Sequence, residues 1–598
     1  MRLYHPKISV MLYKSVKRQE IVPGVPVATS RYAEQRAYDL TDWLGESSGV
    51  HLAKGVRDPA GTFSITLVDK PHKTLIETFY ALIEPMDIVE IRRAHDPLEY
   101  AKPEQGYQLP VVMRGFVSQV TRTETMQGGK PNRAVVITGQ DFGKILQIIQ
   151  IFYLNGSAVG DNLLTELAYF HKYDLASGAK HKPAVEFLTD VLTRIINPYL
   201  KRIVMLANGQ PSKPLAKGET VEKRRTVLRK KVSDQTIDRK AEKKKADALH
   251  LSALQHRVNM DSALASGDEV GYAAEKALMD DDLREWKETT NRIDGVSEEI
   301  VETEEEIEQL ESETNPPATT AAFDVDMMGG EFSIKGTVSP WAVTKFNNDP
   351  LYRVLTSLLD VGPYNELFVE DREDSVVLVV RPAPFLDASF NAVQGVYPKT
   401  VTVISDDVVA ISTSRRDAGV ANYYWVDCSP WSLVSNEDAK MFAASGLPSS
   451  FIKFDYLNSD MKYYGVRKME VNAALLPPGY AIADAPKKEK LQTETLNLQD
   501  WLDLRRKTLT EINKDNVVFE SGTLRLRGNE KIKAGMQLEI QRGGSVYSSC
   551  YAVRVEHEFT PFGGFFTTVI FERGTGFIER SQQQEGVYRR EIDGKGVI

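Results

Sequence analysis

The string Glu556-His557-Glu558, within YAVRVEHEFTPFGGFFTTVIFERG (551–574), has the composition of a metal or acid–base site, two carboxylates beside an imidazole. Such a trio works only if its side chains converge. The flanking residues alternate as a β-strand does. Tyr551, Val553, Val555, His557 and Phe559 then share one face, and Ala552, Arg554, Glu556 and Glu558 share the other. His557 points away from both carboxylates, and no HExxH, HxH or CxxC stands nearby to add ligands. The chain has no GxSxG and no GxxxxGK[ST], and neither Cys428 nor Cys550 has a recognisable active-site setting. The acidic run EDREDS (370–375) lacks the spaced ligands and glycine of a calcium loop and reads as a hairpin turn. GNEKIKAGMQLEI (528–540) reads as a turn, Gly535 and an outgoing strand, with Lys531 and Lys533 as rim or lumen charges. The expectation is therefore a scaffold: no enzyme, no catalytic, cofactor-binding or metal residue, and no cofactor.

The elements around that strand set its face, and most of the chain has β texture. Alternating runs at 62–69, 86–93, 111–125 and 133–141 are divided by Gly/Pro/Asn loops, which implies antiparallel strands. The apolar spacing in Thr74–Leu82 predicts a short helix among them, and ILQIIQIFYL (145–154) a buried one. Spacings of three and four predict helices through 142–206, the last of them ended by Pro198. After 323, strands return around LFVEDREDSVVLVVRPAPF (367–385), a helix is expected over 352–360 and another over 498–513. Strands follow at 519–527, 537–542, 549–559 and 565–572.

Residues 209–320 differ in kind, beginning basic (EKRRTVLRKK) and ending acidic (ETEEEIEQLESE). Met279, Trp286, Ile293, Ile300 and Ile307 fall seven apart, with Val296 and Leu310 as part of a second stripe. Leu249, Ala253, Met260 and Leu264 form a weaker stripe upstream, and SGDEVG (266–271) is a natural turn between them. This predicts two antiparallel helices in a hairpin or coiled coil, its basic and acidic ends attracting each other.

The 598 residues, 42% apolar, suffice for several cores, and a net charge of −9 gives no reason to expect general nucleic-acid binding. Two cysteines are too few for a disulfide framework; they could pair, but a reducing compartment is the simpler assumption. No secretory h-region and no membrane-length apolar run is apparent, so a soluble protein is expected.

Four stretches, in fixed order, resemble the central hub of contractile phage tail baseplates, whose barrel pair also occurs in type VI secretion spike proteins. They are MRGFVSQVTRTETMQGGKPNRAVVITGQDFGKIL (113–146), YNELFVEDREDSVVLVVRPAPF (364–385), DAGVANYYWVD with YYGVRKMEV (417–427, 463–471), and the opening region from 528 to 574. Their landmarks are Asp141, Asn365, Glu366, Arg381, Pro382, Asn422, His557, Arg573 and Gly574.

The resemblance implies a mostly β, α+β protein with two antiparallel, tube-like β-barrels, an α+β middle region and the helical hairpin as an insertion. Its divisions would be an arm (1–49), a first barrel (50–142), a helical segment (143–208), the hairpin (209–320), a middle domain (321–500), a second barrel (501–580) and a tail (581–598). It further implies a homotrimer adapting a hexameric tail tube to a trimeric spike. The partners would be the central spike, the tail tube or its initiator, baseplate wedge proteins and the tape-measure protein. No specific nucleic-acid sequence and no stable membrane insertion are implied. Assembly in the bacterial cytoplasm and residence in the virion tail follow. A type VI or bacteriocin hub and a hub-linked cell-wall hydrolase are the alternatives, the hydrolase disfavoured by the missing motifs.

Overall fold

The computed structural model describes residues 6–15, 37–44, 49–69, 79–102, 106–127, 130–151, 182–208, 221–266, 268–313, 323–325, 327–338, 349–428, 456–479, 488–542, 545–561 and 563–575. The chain divides into two compact units. One comprises 1–153, 169–208 and 320–598; the other comprises 154–168 and 209–319.

In the first unit the described strands of three or more residues begin with β1 (Lys7–Tyr13), β2 (Ala37–Asp39), β3 (Val50–Gly55), β4 (Thr62–Val68), β5 (Ile88–Ala94), β6 (Val111–Gln127) and β7 (Lys130–Asp141). Next come β8 (Met328–Phe332), β9 (Asn365–Asp371), β10 (Val376–Pro382), β11 (Thr400–Ile404), β12 (Val408–Ser414), β13 (Tyr423–Cys428) and β14 (Lys468–Ala473). The last four are β15 (Glu520–Arg527), β16 (Gln537–Arg542), β17 (Ser545–Thr560) and β18 (Gly564–Gly574). Thirteen of these strands form one sheet. Its path runs β12-β15-β18-β17-β3-β4-β7-β6-β5-β1-β2, and β16 and β11 continue from β17.

Two lobes of this sheet repeat one design. The amino-terminal lobe has the order β3-β4-β7-β6-β5-β1, and the carboxy-terminal lobe has β12-β15-β18-β17-β16-β11. Matched place by place, the strands also follow the same order along the chain. All pairings are antiparallel in both lobes except the last, where β1 runs antiparallel to β5 and β11 parallel to β16. The long hairpins match in detail. β6 is bulged between Val117 and Gln119, and β17 between Ala552 and Arg554. Each lobe has its own core, Leu12, Leu52, Ile65, Ile91 and Ile137 in one, and Leu524, Leu526, Leu538, Val555 and Val569 in the other. Strand alternation delivers these residues to one face.

The hub resemblance implies two antiparallel β-barrels. The described strands instead form a single open path, and no closed barrel is present among the described residues. The reason lies in β17, whose sixteen residues outrun its neighbour. Residues 545–551 pair with β16, and on the same edge Arg554–Phe559 pair with β3. Backbone groups that closure within a lobe would satisfy are satisfied by the other lobe. Strands β1 and β2 come from the expected arm, and β11 and β12 from the expected middle domain.

A smaller sheet, β8-β10-β9, carries the 364–385 motif, with its turn at the EDREDS run as expected. The parallel pair β13·β14 packs under helix Lys488–Asn513 around Tyr364, Leu502 and Leu509. Shorter helices lie at α1 (Gly143–Ile148), α2 (Ala184–Val191) and α3 (Asn197–Asn208). The apolar stretch from 145 is helical only to Ile148, and the Thr74–Leu82 helix is described over Phe79–Leu82 alone. The helices expected within 152–181 lie outside the described residues. Pro198 does not end a helix. It is the second residue of α3, after a π-helical stretch Leu192–Ile196, in a first turn where a missing N–H costs little.

The second unit contains two long helices, α4 (Val221–Ser266) and α5 (Glu269–Glu313), packed side by side as the expected hairpin. The break between them falls within SGDEVG, after Ser266 and before Glu269. No described helix is long and apolar enough to cross a membrane.

Gly139 shows how tightly the first lobe is packed. A Cβ there would lie 2.2 Å from Phe63 Cζ and 2.4 Å from the Phe116 carbonyl oxygen, one of them backbone. Gly139→Val is expected to destabilise the chain by about 3 kcal/mol, read as a lowered urea midpoint.

Candidate functional site

Strand β17 places His557 inward and the two glutamates outward, as alternation requires. Glu556 joins Arg554 at 2.9 Å, and Glu558 lies 3.4 Å from Arg525. His557 is buried between Leu52 of β3 and Thr567 of β18, its Nδ1 3.0 Å from the Thr567 hydroxyl. Burial pushes its imidazole well below the ordinary histidine range, and the Arg93 guanidinium pushes it further. Arg93 is itself buried, 3.9 Å above the Phe565 ring, and burial pulls it down to about 9. None of its guanidinium nitrogens has a hydrogen-bond partner among the described residues. A neutral histidine and a cation held on an aromatic face form packing, not a proton relay.

Beside this strand, charged groups from three parts of the sequence meet. Lys54 of β3 lies 2.9 Å from Asp141 at the end of β7 and 2.5 Å from Asp371 at the end of β9. Its Nζ also donates to the Val369 carbonyl at 3.2 Å. Burial alone would depress the Lys54 amine, but the two carboxylates outweigh it and hold it above its ordinary range. Burial pushes Asp141 up despite Lys54, while the Gly143 N–H donates to its Oδ1 at 2.9 Å. Lys533, expected at a rim or lumen, turns inward and donates to the Asp371 carbonyl at 2.5 Å; Lys531 stays outside, 2.6 Å from Glu99.

A second buried trio lies alongside. The Tyr551 hydroxyl donates to Glu366 at 2.6 Å, and Arg381 lies 3.3 Å from the same carboxylate and donates to the Gly535 carbonyl at 2.8 Å. Burial raises Glu366 against the pull of Arg381; burial and then Glu366 raise Tyr551 well above the phenol range. Gly535 sits at φ +82 with Arg381 and Phe368 close by, so a side chain there would be strained. A cavity of about 40 Å³ lies among Lys54, Asp141, Asp371, Glu530, Lys533 and His557. That volume has room for a few ordered waters among polar groups.

Asp141, Glu366, Arg381 and His557 are thus brought together where the lobes join. Asn365 ends the same hairpin opposite Pro382 and donates to the Leu359 carbonyl at 2.6 Å. Arg573 and Gly574 lie at the far end of β18. Arg573, at φ 55, donates to the carbonyls of Ile512 and Leu386 at 2.9 and 2.8 Å, and burial pulls it down to about 10. Gly574 pairs with Glu520. Asn422 stands apart, bracing the start of β13 by bonds to Gly465 and Arg467 at 2.7 and 2.9 Å. Tyr551, on the His557 face in the sequence, carries much of the joint, as do Lys54, Asp371 and Arg93, which no motif singles out. Lys54 and Asp371 stand 317 residues apart, and no local spacing announces such a pair. Among the described residues, no three His, Cys, Asp or Glu side chains are grouped to hold a metal.

In the hairpin, Ile300 is buried and Met279, Trp286 and Ile293 are half-buried, all turned along one line; Ile307's side chain lies outside the described residues. Between them fall polar residues, with Thr289 and Thr303 buried. Glu275 and Asp282 lie 2.6 and 3.7 Å from the two ring nitrogens of His256 on α4. Trp286 packs against His250 at 5.5 Å between ring centroids. The acidic end's side chains from Glu304 to Glu313 lie outside the described ones, but Lys245–Glu285 at 2.8 Å and Arg292–Glu242 at 3.7 Å join the helices farther in.

Lys54→Met leaves two carboxylates facing each other without their cation, and is expected to cost about 3 kcal/mol in denaturant unfolding. His557 gives a pH signature. The folded state keeps it neutral, whereas the unfolded chain takes a proton near pH 6.5. The contribution is full above about pH 6.5 and is lost as pH falls below it. His557→Gln should therefore gain on the wild type by about 2 kcal/mol between pH 7 and pH 5, measured by urea titrations at each pH.

The sequence matches no protein-family model and no curated protein. Two solved structures show distant similarity. A tail protein from Neisseria meningitidis MC58 aligns with a TM-score of 0.35 and 8% identity, over 95% of this chain and 97% of that one. The 43 kDa tail protein of prophage MuSo2 from Shewanella oneidensis aligns with a TM-score of 0.36 and 9% identity, over 95% and 98%.

Proposed function

We propose that this chain is a structural hub protein of a contractile phage tail, a non-enzymatic homotrimer that adapts a six-fold tube to a three-fold spike. The observation that carries the reading is the repeated lobe: one six-place strand order occurs twice in one chain. Three copies of such a chain present six similar lobes, which meets six-fold symmetry on one side while the chain itself stays three-fold on the other. The quoted hub motifs support the same reading, because four of their landmarks, Asp141, Glu366, Arg381 and His557, build the joint that fixes one lobe against the other. A joint of backbone hydrogen bonds and buried ion pairs suits a part that transmits load.

In this reading the carboxy-terminal and amino-terminal lobes meet the tail tube or its initiator, and the ring holds a separate central spike. The helical hairpin contacts wedge or tape-measure proteins, and its charged outer faces suit protein more than lipid. The protein is assembled in the bacterial cytoplasm and resides in the virion tail.

The test is the solution mass of the purified chain, alone and with neighbouring tail proteins. The expected result is a species of three times the 67.0 kDa chain mass. A chain that stays monomeric in both settings and never enters tails would overturn the proposal.

A further inference from the structure

The two lobes differ at one edge, and the difference identifies a partner surface. In the carboxy-terminal lobe, β17 leaves β16 at Tyr551, and the freed edge beyond its bulge is taken by β3 of the other lobe. In the amino-terminal lobe, β6 leaves β5 at the equivalent place. The last bonds on that edge join Val117 with Asp87 and Met86, at 2.8 Å each. Beyond its own bulge, residues 119–127 pair with β7 on one side only, and among the described residues the other edge has no strand. Residues 118–126 are exposed apart from half-buried Val120, and Met126 is 71% exposed.

The strand that matches β3 in the carboxy-terminal lobe is β12. It pairs with β15 on one edge, and its other edge ends the sheet. Residues 409–414 are exposed, with Val409 and Ile411 at 55% and 41%. A bare edge strand with exposed branched apolar residues is an aggregation site unless a partner covers it. Among the described residues the chain thus carries one filled joint, β17·β3, and the two uncovered edges of a second, β6 and β12.

We infer that β6 of one copy pairs with β12 of a second copy, repeating between chains the joint that β17 and β3 make within one. This rests on the three-copy reading above and supplies its contact. The filled joint also sets the register. Superposing the bulges places Gln119 at the position of Arg554 and Glu124 at that of Phe559. Following the ladders through β4 and β15 places Ile411–Ser414 at the positions of Val50–Ala53. Since Val50–Ala53 face Phe559–Glu556, the strands run antiparallel with Ile411 opposite Glu124, Ser412 opposite Thr123, Thr413 opposite Arg122 and Ser414 opposite Thr121. Val409, at the bulge of β12, is then carried toward Met126, so these two exposed apolar side chains meet, while Ile411 lies against the aliphatic stem of Glu124. Such a head-to-tail contact uses a different surface on each copy, and a ring is its closed form.

Directly opposed residues of antiparallel strands have Cα atoms about 5 Å apart, within disulfide reach. The full-length chain carrying Thr123→Cys and Ser412→Cys is oxidised and run without reductant, with the unaltered chain setting the background from Cys428 and Cys550. A control carries Thr121→Cys with Ser412→Cys, a slip of two residues. Linked bands that stop at three chains, at least tenfold stronger than in the control, are the expected result. Mixing the two single-cysteine chains should then give dimers only. A trimer by mass whose 412/123 pair links no better than the control overturns this joint and leaves the three-copy reading standing. Absence of any trimer, alone or with tail proteins, overturns both. Linked bands running past three chains uphold the joint and overturn the closed ring.

Discussion

A β-strand has two edges, and every N–H and C=O along them needs a partner or water. In β17 one edge is divided between two strands of different origin, β16 for its first half and β3 for its second. The bulge between Ala552 and Arg554 sits where one partner gives way to the other. An added residue there re-aims the strand, so that its second half meets a strand drawn from the far end of the sequence. The lobes are consequently joined by main-chain hydrogen bonds, which no single side-chain substitution can remove. The buried charges gather beside this handover. Lys54 stands on β3 directly opposite Val555, and its ammonium bridges Asp141 and Asp371, offsetting their mutual repulsion in a buried place.

Much of this was legible in the sequence, and the limits are physical. Alternation located the strands around His557 and assigned its face, because a strand's period of two admits no other arrangement of neighbours. The helix beneath β13 and β14 and the turn at EDREDS were equally local. Barrel closure was not local: it depends on which edge meets which, and the extra length of β17 carries no mark of its eventual partner. Lys533 shows the same limit. Beside Lys531 it looks like one of two surface charges, yet only the tertiary fold brings the Asp371 carbonyl within its reach. Pro198 misled for another reason. It sits in the first turn of α3, where the backbone tolerates it, and the π-helical turn before it has no sequence signature.

The two lobes share a strand order but little local sequence, because packing conserves volume and polarity only where a core demands it. At matched places beyond the bulges, Val120 faces Ile137 and Val555 faces Val569, both apolar pairs. Two residues on, Arg122 opposite Val135 takes the place of His557 opposite Thr567. Arg122 reaches out to Asp69 at 2.7 Å, whereas His557 turns into a closed joint. The same ladder position is exposed in one lobe and buried in the other, because only one of the two edges is occupied within the chain. Residue identity there reports the neighbour, not the strand.

That contrast explains the chemistry of the string EHE. The imidazole is surrounded by Phe565, Arg93 and the Thr567 hydroxyl, and all three favour its neutral form: an aromatic wall excludes water, a nearby cation repels a proton, and a hydroxyl can donate to the free ring nitrogen. A catalytic histidine needs the reverse, a route to solvent and a carboxylate to steady its charge. Here the carboxylates on either side in sequence are spent on the opposite face of the sheet, tied to Arg554 and Arg525. Burying the histidine and exposing its neighbours are one event, dictated by β3 covering a single face-and-edge of β17. Uncovering that edge would restore solvent to His557 only by parting the two lobes, so the residue's inertness and the integrity of the joint are the same property.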